Sequence, residues 1–395
     1  MRILHTSDWH LGRTFHEANL HPHQEEFHDW LVELVTQRAI DVVVIPGDVY
    51  DRAVPPLEAV KLLGRTLTRL SAKTTVVLTP GNHDSADRLG FGAELMRDGV
   101  HILTDTQAAL EHPVVVPDAH GDVLFFGLPY LVPDIARFAL VSDESEPLAR
   151  SHEAVTRAAM DKVTTRIAQY AEAAGPDAPR PRSVVLSHTF VTGGDPSDSE
   201  RDLSVGGVDS VPASVMGGVD YVALGHLHGC QDLSARAGTT AWYSGSPLAF
   251  SFSEKNQRKS VLLVDLGAPG EVEVERIATP VPRRLAELRG SLDDVLAKAA
   301  AHREDWVKAV ITDPHRPPHL LDRLRAAFPY LRHTEHRPEG REDSDLTPVV
   351  RREQDPMDVM GEFLEYVTGV EATDAERGVF ARAHSAAHSR REEAS

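Results

Sequence analysis

The sequence lacks the features that define several classes of protein. It has one cysteine among 395 residues, Cys230, which excludes an internal disulfide and favours a reducing compartment. No apolar run approaches the roughly 20 residues of a membrane helix. The N-terminus, MRILHTSDWH, has no long apolar segment of the kind found in a signal peptide. We therefore expect a cytoplasmic globular protein without a membrane span.

Basic residues are also in deficit. The chain has 60 acidic and 41 basic residues, a formal net charge of −19. Proteins that wrap nucleic acid with their whole surface need Lys and Arg to neutralise phosphates, so the charge argues against that class. It does not argue against a nuclease, because bound metal ions neutralise acidic ligands and a partner subunit can contribute basic residues.

The first 275 or so residues alternate short apolar runs with helical stretches, which predicts an α/β core. Several of the runs, such as VVVI, TTVVL and SVVL, are continuous and β-branched, as in a sheet covered on both faces. The predicted strands are 2–6, 41–45, 75–78, 123–127, 183–186, 221–224, 260–265 and 271–276. The predicted helices are 22–38, 56–70 and 152–173.

Composition shifts divide the chain into four segments. Residues 1–280 form the α/β domain, and residues 281–340 form a small α+β unit with one predicted strand at 306–311. Residues 341–356 are charged and read as a linker. Residues 357–395 begin with apolar positions at amphipathic helical spacing, and a second short helix is predicted at 374–384.

Five polar motifs follow apolar runs of the predicted sheet: SDWH, GDVYD, GNHD, LSHTF and GHLH. Loops at the carboxyl ends of strands form the site crevice of an open α/β sheet, so all five motifs are expected on one rim. Asp, Asn and His without Cys are ligands for a hard-to-borderline divalent metal ion. The candidate residues in these motifs are Asp8, His10, Asp48, Asn82, His83, Asp84, His188, His226 and His228.

The first two motifs have alternative readings. Asp8 and His10 are two residues apart and can share one face of an extended strand, although Asp8 could instead cap a helix. Asp48 has two carboxylate oxygens and is the candidate to bridge two ions, whereas the ordinary alternative is an Asx-turn.

The GNHD motif separates a ligand from a catalytic group. Asn82 offers a neutral oxygen to a metal ion, and His83 points elsewhere and is suited to act as a general acid. Asp84 is predicted to orient the ring of His83. In the last motif, His226 and His228 are predicted to bind different ions, whereas His5 is expected to pack inside the first strand.

Two divalent ions held about 3.5–4 Å apart activate a water molecule and stabilise charge on a phosphoryl group. The ligand set therefore predicts a phosphomonoesterase or a phosphodiesterase and does not distinguish them. A scaffold that has lost the chemistry is disfavoured, since every ligand position is filled.

These motifs resemble those of the calcineurin-like metallophosphoesterase superfamily, and the loops around them are similar to those of its SbcD family. The similarity covers about residues 1–280 and includes HTSDWHLG, PGDVYDR, LSHTFVTGG, SDSERDLSVGG and YSGSPLAFSFSE. It implies a layered αββα sandwich. It also implies that Asp8, His10 and His228 hold one ion, that Asn82, His188 and His226 hold the other, and that Asp48 bridges them.

The resemblance further implies the catalytic role of His83 and a preference for two Mn²⁺ ions. Some relatives have a second active-site His where this chain has Asp51, which leaves open whether Asp51 supports a metal ligand or faces a DNA phosphate. Arg13, Arg52 and Arg88 could contact DNA or be ordinary solvated charges.

The implied activity is that of a nuclease subunit in DNA end processing, recombination, replication and repair. It would be a 3′ to 5′ exonuclease on double strands and an endonuclease on single strands and hairpins. The implied partner is an SbcC-like ATPase with a long coiled coil, bound by a homodimer in a heterotetramer. Residues 281–340 would then be a DNA-capping domain, and 357–395 a partner-binding segment unless it folds back on its own core. The alternative is a phosphodiesterase or phosphatase for a small-molecule or protein substrate.

Overall fold

A computed structural model describes residues 1–96, 99–141, 146–200, 210–339, 355–368 and 372–392. The predicted linker at 341–356 lies almost entirely outside these residues. None of the helices in the described ranges is long and apolar enough to cross a membrane.

The strands are β1 (Arg2–His5), β2 (Thr14–Phe15), β3 (Ala18–Asn19), β4 (Val42–Pro46), β5 (Thr75–Thr79), β6 (Val100–Ile102), β7 (Val114–Asp118), β8 (Gly121–Leu128), β9 (Arg182–His188), β10 (Val191–Thr192), β11 (Val211–Pro212), β12 (Tyr221–Gly225), β13 (Gln231–Asp232), β14 (Thr240–Tyr243), β15 (Ser260–Leu266), β16 (Val272–Ala278), β17 (Leu285–Gly290), β18 (Trp306–Ile311) and β19 (Leu331–His336). The helices are α1 (His21–Gln37), α2 (Leu57–Ser71), α3 (Ala86–Leu89), α4 (Thr106–Glu111), α5 (Pro133–Ala139), α6 (His152–Ala174), α7 (Ser234–Ala237), α8 (Leu292–Ala297), α9 (Leu320–Ala327), α10 (Pro356–Thr368) and α11 (Asp374–Glu392).

Two six-stranded sheets within the described residues form the centre of the molecule. The first has the order β16-β15-β1-β4-β5-β6, and the second has the order β13-β14-β12-β9-β8-β7. Neighbours are parallel from β1 to β6 and from β14 to β8. Each sheet therefore has a central parallel part whose carboxyl ends lie at one edge.

Alternation along the buried strands produces the layers. In β4, Val42 and Val44 face the second sheet in one apolar cluster, whereas Val43 and Ile45 pack with α1 and α2 in another. A third cluster covers the outer face of the second sheet with α5 and α6. Because every residue of β4 is buried, a continuous apolar run is favoured there over an alternating one. The layers are helix, sheet, sheet and helix, which confirms the predicted αββα sandwich.

A smaller unit follows the sandwich. The strands β17, β18 and β19 are parallel neighbours, and α8 and α9 alternate with them along the chain. The sequence predicted helical stretches alternating with β18 but not the strands β17 and β19. Trp306 at the start of β18 stacks on Phe15, with ring centroids 4.7 Å apart. Phe250 and Phe252 join the same buried cluster, so this unit packs against one wall of the sandwich.

The C-terminal region is helical, as predicted, and consists of α10 and α11 in the described ranges. The spacing predicted the start of α10 within one residue, but α11 continues to Glu392, beyond the predicted end at residue 384.

Candidate metal centre

The five motifs meet at the carboxyl ends of five parallel strands. The motif after β1 carries Asp8 and His10, and those after β4 and β5 carry Asp48 and Asn82. In the second sheet, His188 is the last residue of β9, and His226 follows β12 directly. Both sheets therefore contribute side chains to one place, as the sequence predicted for the rim.

The backbone at this rim is unusual. Asp8, His10 and Asp48 have φ angles of 54°, 44° and 49°, and His226 has φ 109°. Side chains other than glycine rarely adopt positive φ, and such residues concentrate at functional sites. The prediction that Asp8 and His10 share a face of an extended strand is wrong, because β1 ends at His5 and a left-handed loop directs both side chains.

Glycines permit the close approach of these loops. A Cβ on Gly47 would lie 2.2 Å from Nδ1 of His188, and one on Gly81 would lie 2.2 Å from Oδ1 of Asp48. Gly225 packs its α-carbon against the carbonyl of Pro46, where a Cβ would be 1.8 Å from the oxygen. Any side chain at these positions would separate the motifs.

One group of potential ligand atoms comes from Asp8, His10 and His228, which lie within 4.8 Å of one another. The Nε2 atoms of His10 and His228 are 3.1 Å apart. Asp8 also accepts a hydrogen bond of 3.0 Å from the backbone N–H of His226, which joins the first motif to the last.

A second group surrounds Asp48 and Asn82. Oδ2 of Asp48 lies 3.5 Å from Nε2 of His10 and 3.4 Å from Nε2 of His188. Oδ1 of Asn82 lies 2.9 Å from Nε2 of His188 and 3.2 Å from Nδ1 of His226. The carboxylate of Asp48 therefore lies between the two groups, where a bridging ligand has to be.

The electrostatics of the cluster suit a cation. Burial lowers the pKa values of His10 and His226 to about 3, so both rings are neutral at pH 7, the form that binds metal ions. Burial opposes protonation of His188, but the charges of Asp48 and Asp8 raise its pKa to about 9. Burial also opposes ionisation of Asp48, yet the neighbouring histidines, His188 foremost, hold its pKa well below the usual range. The two carboxylates therefore favour a positive charge at this point of the cluster, which a divalent ion can supply.

These donors fit a divalent metal ion. Carboxylate, amide and imidazole atoms converge from five loops and are almost fully buried, apart from the half-buried Asn82. Buried nitrogen atoms as close as those of His10 and His228 cannot both accept a proton without repulsion, whereas both can bind one cation. The site therefore has the composition and density of a metal centre.

His83 lies at the edge of this cluster with its ring fixed. Its Nδ1 donates to the carbonyl oxygen of Asp51 at 2.8 Å, and its backbone N–H donates to Oδ1 of Asp48 at 2.9 Å. The ring centroid is 4.7 Å from that of His10. Because Nδ1 carries a hydrogen, Nε2 remains as the atom that can gain and release a proton.

The predicted role of Asp84 in orienting His83 is wrong. The carboxylate of Asp84 instead accepts backbone hydrogen bonds from Val49, Tyr50 and Gly81 at 3.0, 2.8 and 2.9 Å. It therefore joins the loop of Asp48 to the loop of Asn82. The backbone carbonyl of Asp51 takes the place beside His83 that the sequence had suggested for Asp84.

The remaining polar candidates divide into paired and exposed residues. Oδ1 of Asp51 lies 3.5 Å from Nδ1 of His10 and 3.3 Å from Nη1 of Arg13. Asp51 therefore contacts the ring nitrogen of His10 that faces away from the other candidate ligands. Arg13 also donates to the carbonyl of Ser199 at 3.0 Å and lies over the ring of Phe250. Arg52 and Arg88 are exposed. His5 is buried and bonds across the sheets to Tyr221, as expected for a packed residue.

Sequence reasoning missed a buried polar group behind His228. Oγ of Ser199 lies 2.7 Å from Nδ1 of His228 and 2.5 Å from Oε1 of Glu254. Glu254 forms an ion pair with Lys259, and both side chains are buried. Glu254 and Lys259 lie in the polar stretch EKNQRK, where no sequence signal distinguishes a buried charge from a solvated one, and their partners Ser199 and His228 are distant in sequence.

Comparison with known proteins shows which family the chain resembles. Residues 1–230 match the model of the calcineurin-like phosphoesterase family, and residues 281–368 match a family described as the type 5 capsule protein repressor C-terminal domain. The chain is 40% identical over 279 residues to the D subunit of the SbcCD nuclease of Bacillus subtilis, covering 69% of this chain and 67% of that protein. It is 31% identical over 310 residues to the D subunit of the SbcCD nuclease of Escherichia coli K12, covering 78% of this chain and 74% of that protein.

Among solved structures, the protein TT1561 of Thermus thermophilus aligns with 70% of this chain and 98% of its own, at 16% identity and a TM-score of 0.37. The sequence relatives and the arrangement of the candidate metal ligands both indicate a metal-dependent phosphoesterase. The chain belongs to the calcineurin-like phosphoesterase family of metal-dependent phosphoesterases and, within it, to the SbcD nuclease subunits.

Proposed function

We propose that this chain is a Mn²⁺-dependent nuclease subunit that acts with an SbcC-like ATPase in DNA end processing, recombination, replication and repair. Its activities would be 3′ to 5′ exonuclease on double strands and endonuclease on single strands and hairpins. The observation that carries the proposal is the convergence of the five motifs on one buried centre, in a chain whose relatives are named as nuclease subunits. The single cysteine supports a cytoplasmic location.

The seven candidate ligands would divide between two ions. Asp8, His10 and His228 would hold one and Asn82, His188 and His226 the other, with Asp48 shared. When bound, the ions supply Lewis-acid activation of water and neutralise charge on the phosphate. Oxygen and imidazole donors suit Mn²⁺.

His83 would protonate the leaving oxygen of the phosphodiester. The carbonyl of Asp51 holds the hydrogen on Nδ1, so Nε2 is the atom that delivers a proton. The backbone bond from His83 to Asp48 ties the position of this acid to the candidate bridging ligand. Asp84 would act as a positioning residue, because its three backbone bonds fix the loops on either side of His83.

The unit at 281–340 would cap the DNA. It contains a pocket of about 290 Å³, and no described residue that lines it is acidic. The lining residues are Arg316, Leu320, Leu321, Arg325, Leu331, Arg332, His333, Thr334 and His336. Nε of Arg332 and Oγ1 of Thr334 are buried without hydrogen-bond partners. In a chain with an excess of acids, such a pocket is suited to a phosphate.

A homodimer is supported by exposed apolar side chains on α2 and on the segment 86–96. Leu57 and Val60 are 65% and 42% exposed, and Phe91 and Leu95 are 86% and 91% exposed. Leu57 and Val60 lie next to each other, three residues apart on α2, and neighbouring exposed apolar side chains are typical of protein interfaces. Analytical ultracentrifugation should show a dimer that Leu95→Asp dissociates.

The partner ATPase would dock on residues 357–395. α10 packs against α11, yet Phe363 of α10 and Val379 of α11 remain 60% and 54% exposed. A helix pair with apolar side chains facing outward fits the groove-binding mode of peptide recognition. Phe363→Asp should weaken binding of the ATPase and leave nuclease activity on single strands intact.

The test is a nuclease assay with Mn²⁺, with and without the SbcC-like partner and ATP, on linear duplex, hairpin and single-stranded DNA. We expect cutting that His83→Ala abolishes while the variant still binds Mn²⁺. His112→Ala, an exposed histidine outside the site, is the matched control and should cut normally.

Two outcomes would overturn the proposal. Intact DNA in the presence of partner, ATP and Mn²⁺ would remove the nuclease assignment. Faster turnover of bis-p-nitrophenyl phosphate or cyclic nucleotides than of DNA would favour a small-molecule phosphodiesterase.

A further inference from the structure

A buried polar network lies behind His228, on the side away from the other ligands. Ser199, Glu254 and Lys259 are 8%, 1% and 5% exposed. Their contacts form a chain from Lys259 to Glu254, then to the hydroxyl of Ser199, and then to Nδ1 of His228. None of these three residues lies in the five motifs.

The hydrogen positions in this chain follow from its chemistry. One oxygen of Glu254 accepts from the ammonium of Lys259, and the other accepts from the backbone N–H of Phe250 at 3.0 Å. A carboxylate only accepts, so the single proton of the Ser199 hydroxyl must point toward Glu254. The hydroxyl oxygen can then only accept from His228. His228 therefore carries its hydrogen on Nδ1 and presents the lone pair of Nε2, the atom that lies 3.1 Å from Nε2 of His10.

The same network fixes the backbone of His228. Nζ of Lys259 donates to the carbonyl oxygen of His228 at 2.9 Å, and Oε1 of Glu200 accepts the N–H of His228 at 2.7 Å. The ring and both backbone polar groups of one residue are thus held by side chains. Free rotation of the imidazole, or a change of tautomer, would break at least one of these bonds.

We propose that Glu254 and Lys259, acting through Ser199, are positioning residues that hold His228 in its metal-binding tautomer and so set the affinity of the centre for its divalent ion. The inference rests on the metal centre of the proposed function. Groups that orient a ligating imidazole from behind change metal affinity by about 10 to 100-fold when they are removed. The competing explanation is a buried ion pair that only stabilises the fold.

The test uses Ser199, because its removal breaks the link and leaves the ion pair of Glu254 and Lys259 intact. Isothermal titration calorimetry with Mn²⁺ on the full chain should show at least tenfold weaker binding to Ser199→Ala. Ser199→Thr keeps the hydroxyl and should restore affinity. The matched control is Ser253→Ala, which loses a bond from the backbone N–H of Asp198 in the same region and should bind as the wild type does.

Two further measurements separate positioning from folding. The metal-free Ser199→Ala and Ser199→Thr variants should both unfold cooperatively and remain folded at the temperature of the titration, which thermal unfolding followed by circular dichroism checks. Cleavage of DNA by Ser199→Ala should recover as Mn²⁺ is raised, since a weakened ligand is compensated by mass action. Wild-type affinity in Ser199→Ala, or a loss that Ser199→Thr does not restore, would overturn this inference and leave the nuclease proposal standing. A wild-type protein that binds no divalent ion would overturn both.

Discussion

Replacing Asp84 tests how the metal centre is built. Asp84→Ala removes the acceptor of three backbone N–H groups, those of Val49, Tyr50 and Gly81. A buried donor left without a partner costs about 1–3 kcal/mol. Asp84 is half-buried although its three donors belong to buried residues, so we take the lower end of that range for each donor. We expect a loss of about 3 kcal/mol in the free energy of unfolding for the three donors together.

The conservative variant gives a graded result. Asp84→Asn keeps one carbonyl oxygen but turns an N–H₂ group toward a backbone donor, so we expect a loss of about 1 kcal/mol. Asp87→Ala, an exposed carboxylate three residues further along the chain, should change stability by less than about 0.5 kcal/mol. Urea unfolding of the metal-free proteins gives the three values.

Metal binding distinguishes the role of Asp84 from the one the sequence suggested. Val49 follows Asp48, and Gly81 precedes Asn82, so loosening these loops should also weaken Mn²⁺ binding by about tenfold or more. If Asp84 acted on the ring of His83, Asp84→Ala would slow cleavage at saturating Mn²⁺ and leave stability and metal affinity unchanged. That result would refute the reasoning, as would equal stability of Asp84→Ala and Asp87→Ala.

Three other perturbations have defined outcomes. Gly81→Ala places a Cβ 2.2 Å from the carboxylate of the candidate bridging ligand and should abolish Mn²⁺ binding in a calorimetric titration. Burial lowers the pKa of His28 from 6.5 to about 4, so the neutral ring contributes fully to the free energy of unfolding above pH 6.5. This contribution is lost as the pH falls from 6.5 to about 4. The loss is about 3 kcal/mol and should be absent from the pH profile of unfolding of His28→Leu. Arg325→Gln in the cap pocket should weaken DNA binding and reduce the salt slope by about 1, whereas Arg303→Gln, exposed outside the pocket, should not.

Each of these expectations has a contrary result. Mn²⁺ binding by Gly81→Ala would show that the loops can separate without loss of the centre. An unchanged pH profile in His28→Leu would mean that another group takes up the proton in this range. Equal salt slopes for Arg325→Gln and Arg303→Gln would move the DNA away from the cap pocket.

Much of the sandwich was predictable because its central strands are buried on both faces. Such strands require continuous β-branched runs, and those at 42–46 and 182–188 were predicted within a few residues. The strand β7 was missed because it lies at the edge of its sheet, with alternating partial exposure and a proline at Pro117. β17 was missed because its sequence, LAELRG, has no strand preference, and pairing with β18 determines its conformation.

The residue types of the site could be predicted from the sequence, but the hydrogen bonds that hold the candidate ligands in place could not. Asp, Asn and His after apolar runs reveal candidate ligands, since each motif is local in sequence. The partners of Asp84 are backbone N–H groups, which no sequence pattern marks. Ser199 and Glu254 lie 55 residues apart, and only folding brings them behind His228. A hydrogen-bonded support of this kind has to be read from the structure.

The distances within the centre depend on how the two sheets pack. Asp48 belongs to a loop of the first sheet and His188 to a strand of the second, yet their ligand atoms are 3.4 Å apart. A small shift between the sheets would separate them, because the positive φ angle of Asp48 and the close approach at Gly47 leave its loop little freedom to follow. The apolar layer between the sheets, which includes Val44 and Leu186, therefore holds the ligands in register. Interiors packed at crystal-like density resist such shifts, so the inter-sheet core is as much a part of the metal centre as the loops that carry its side chains.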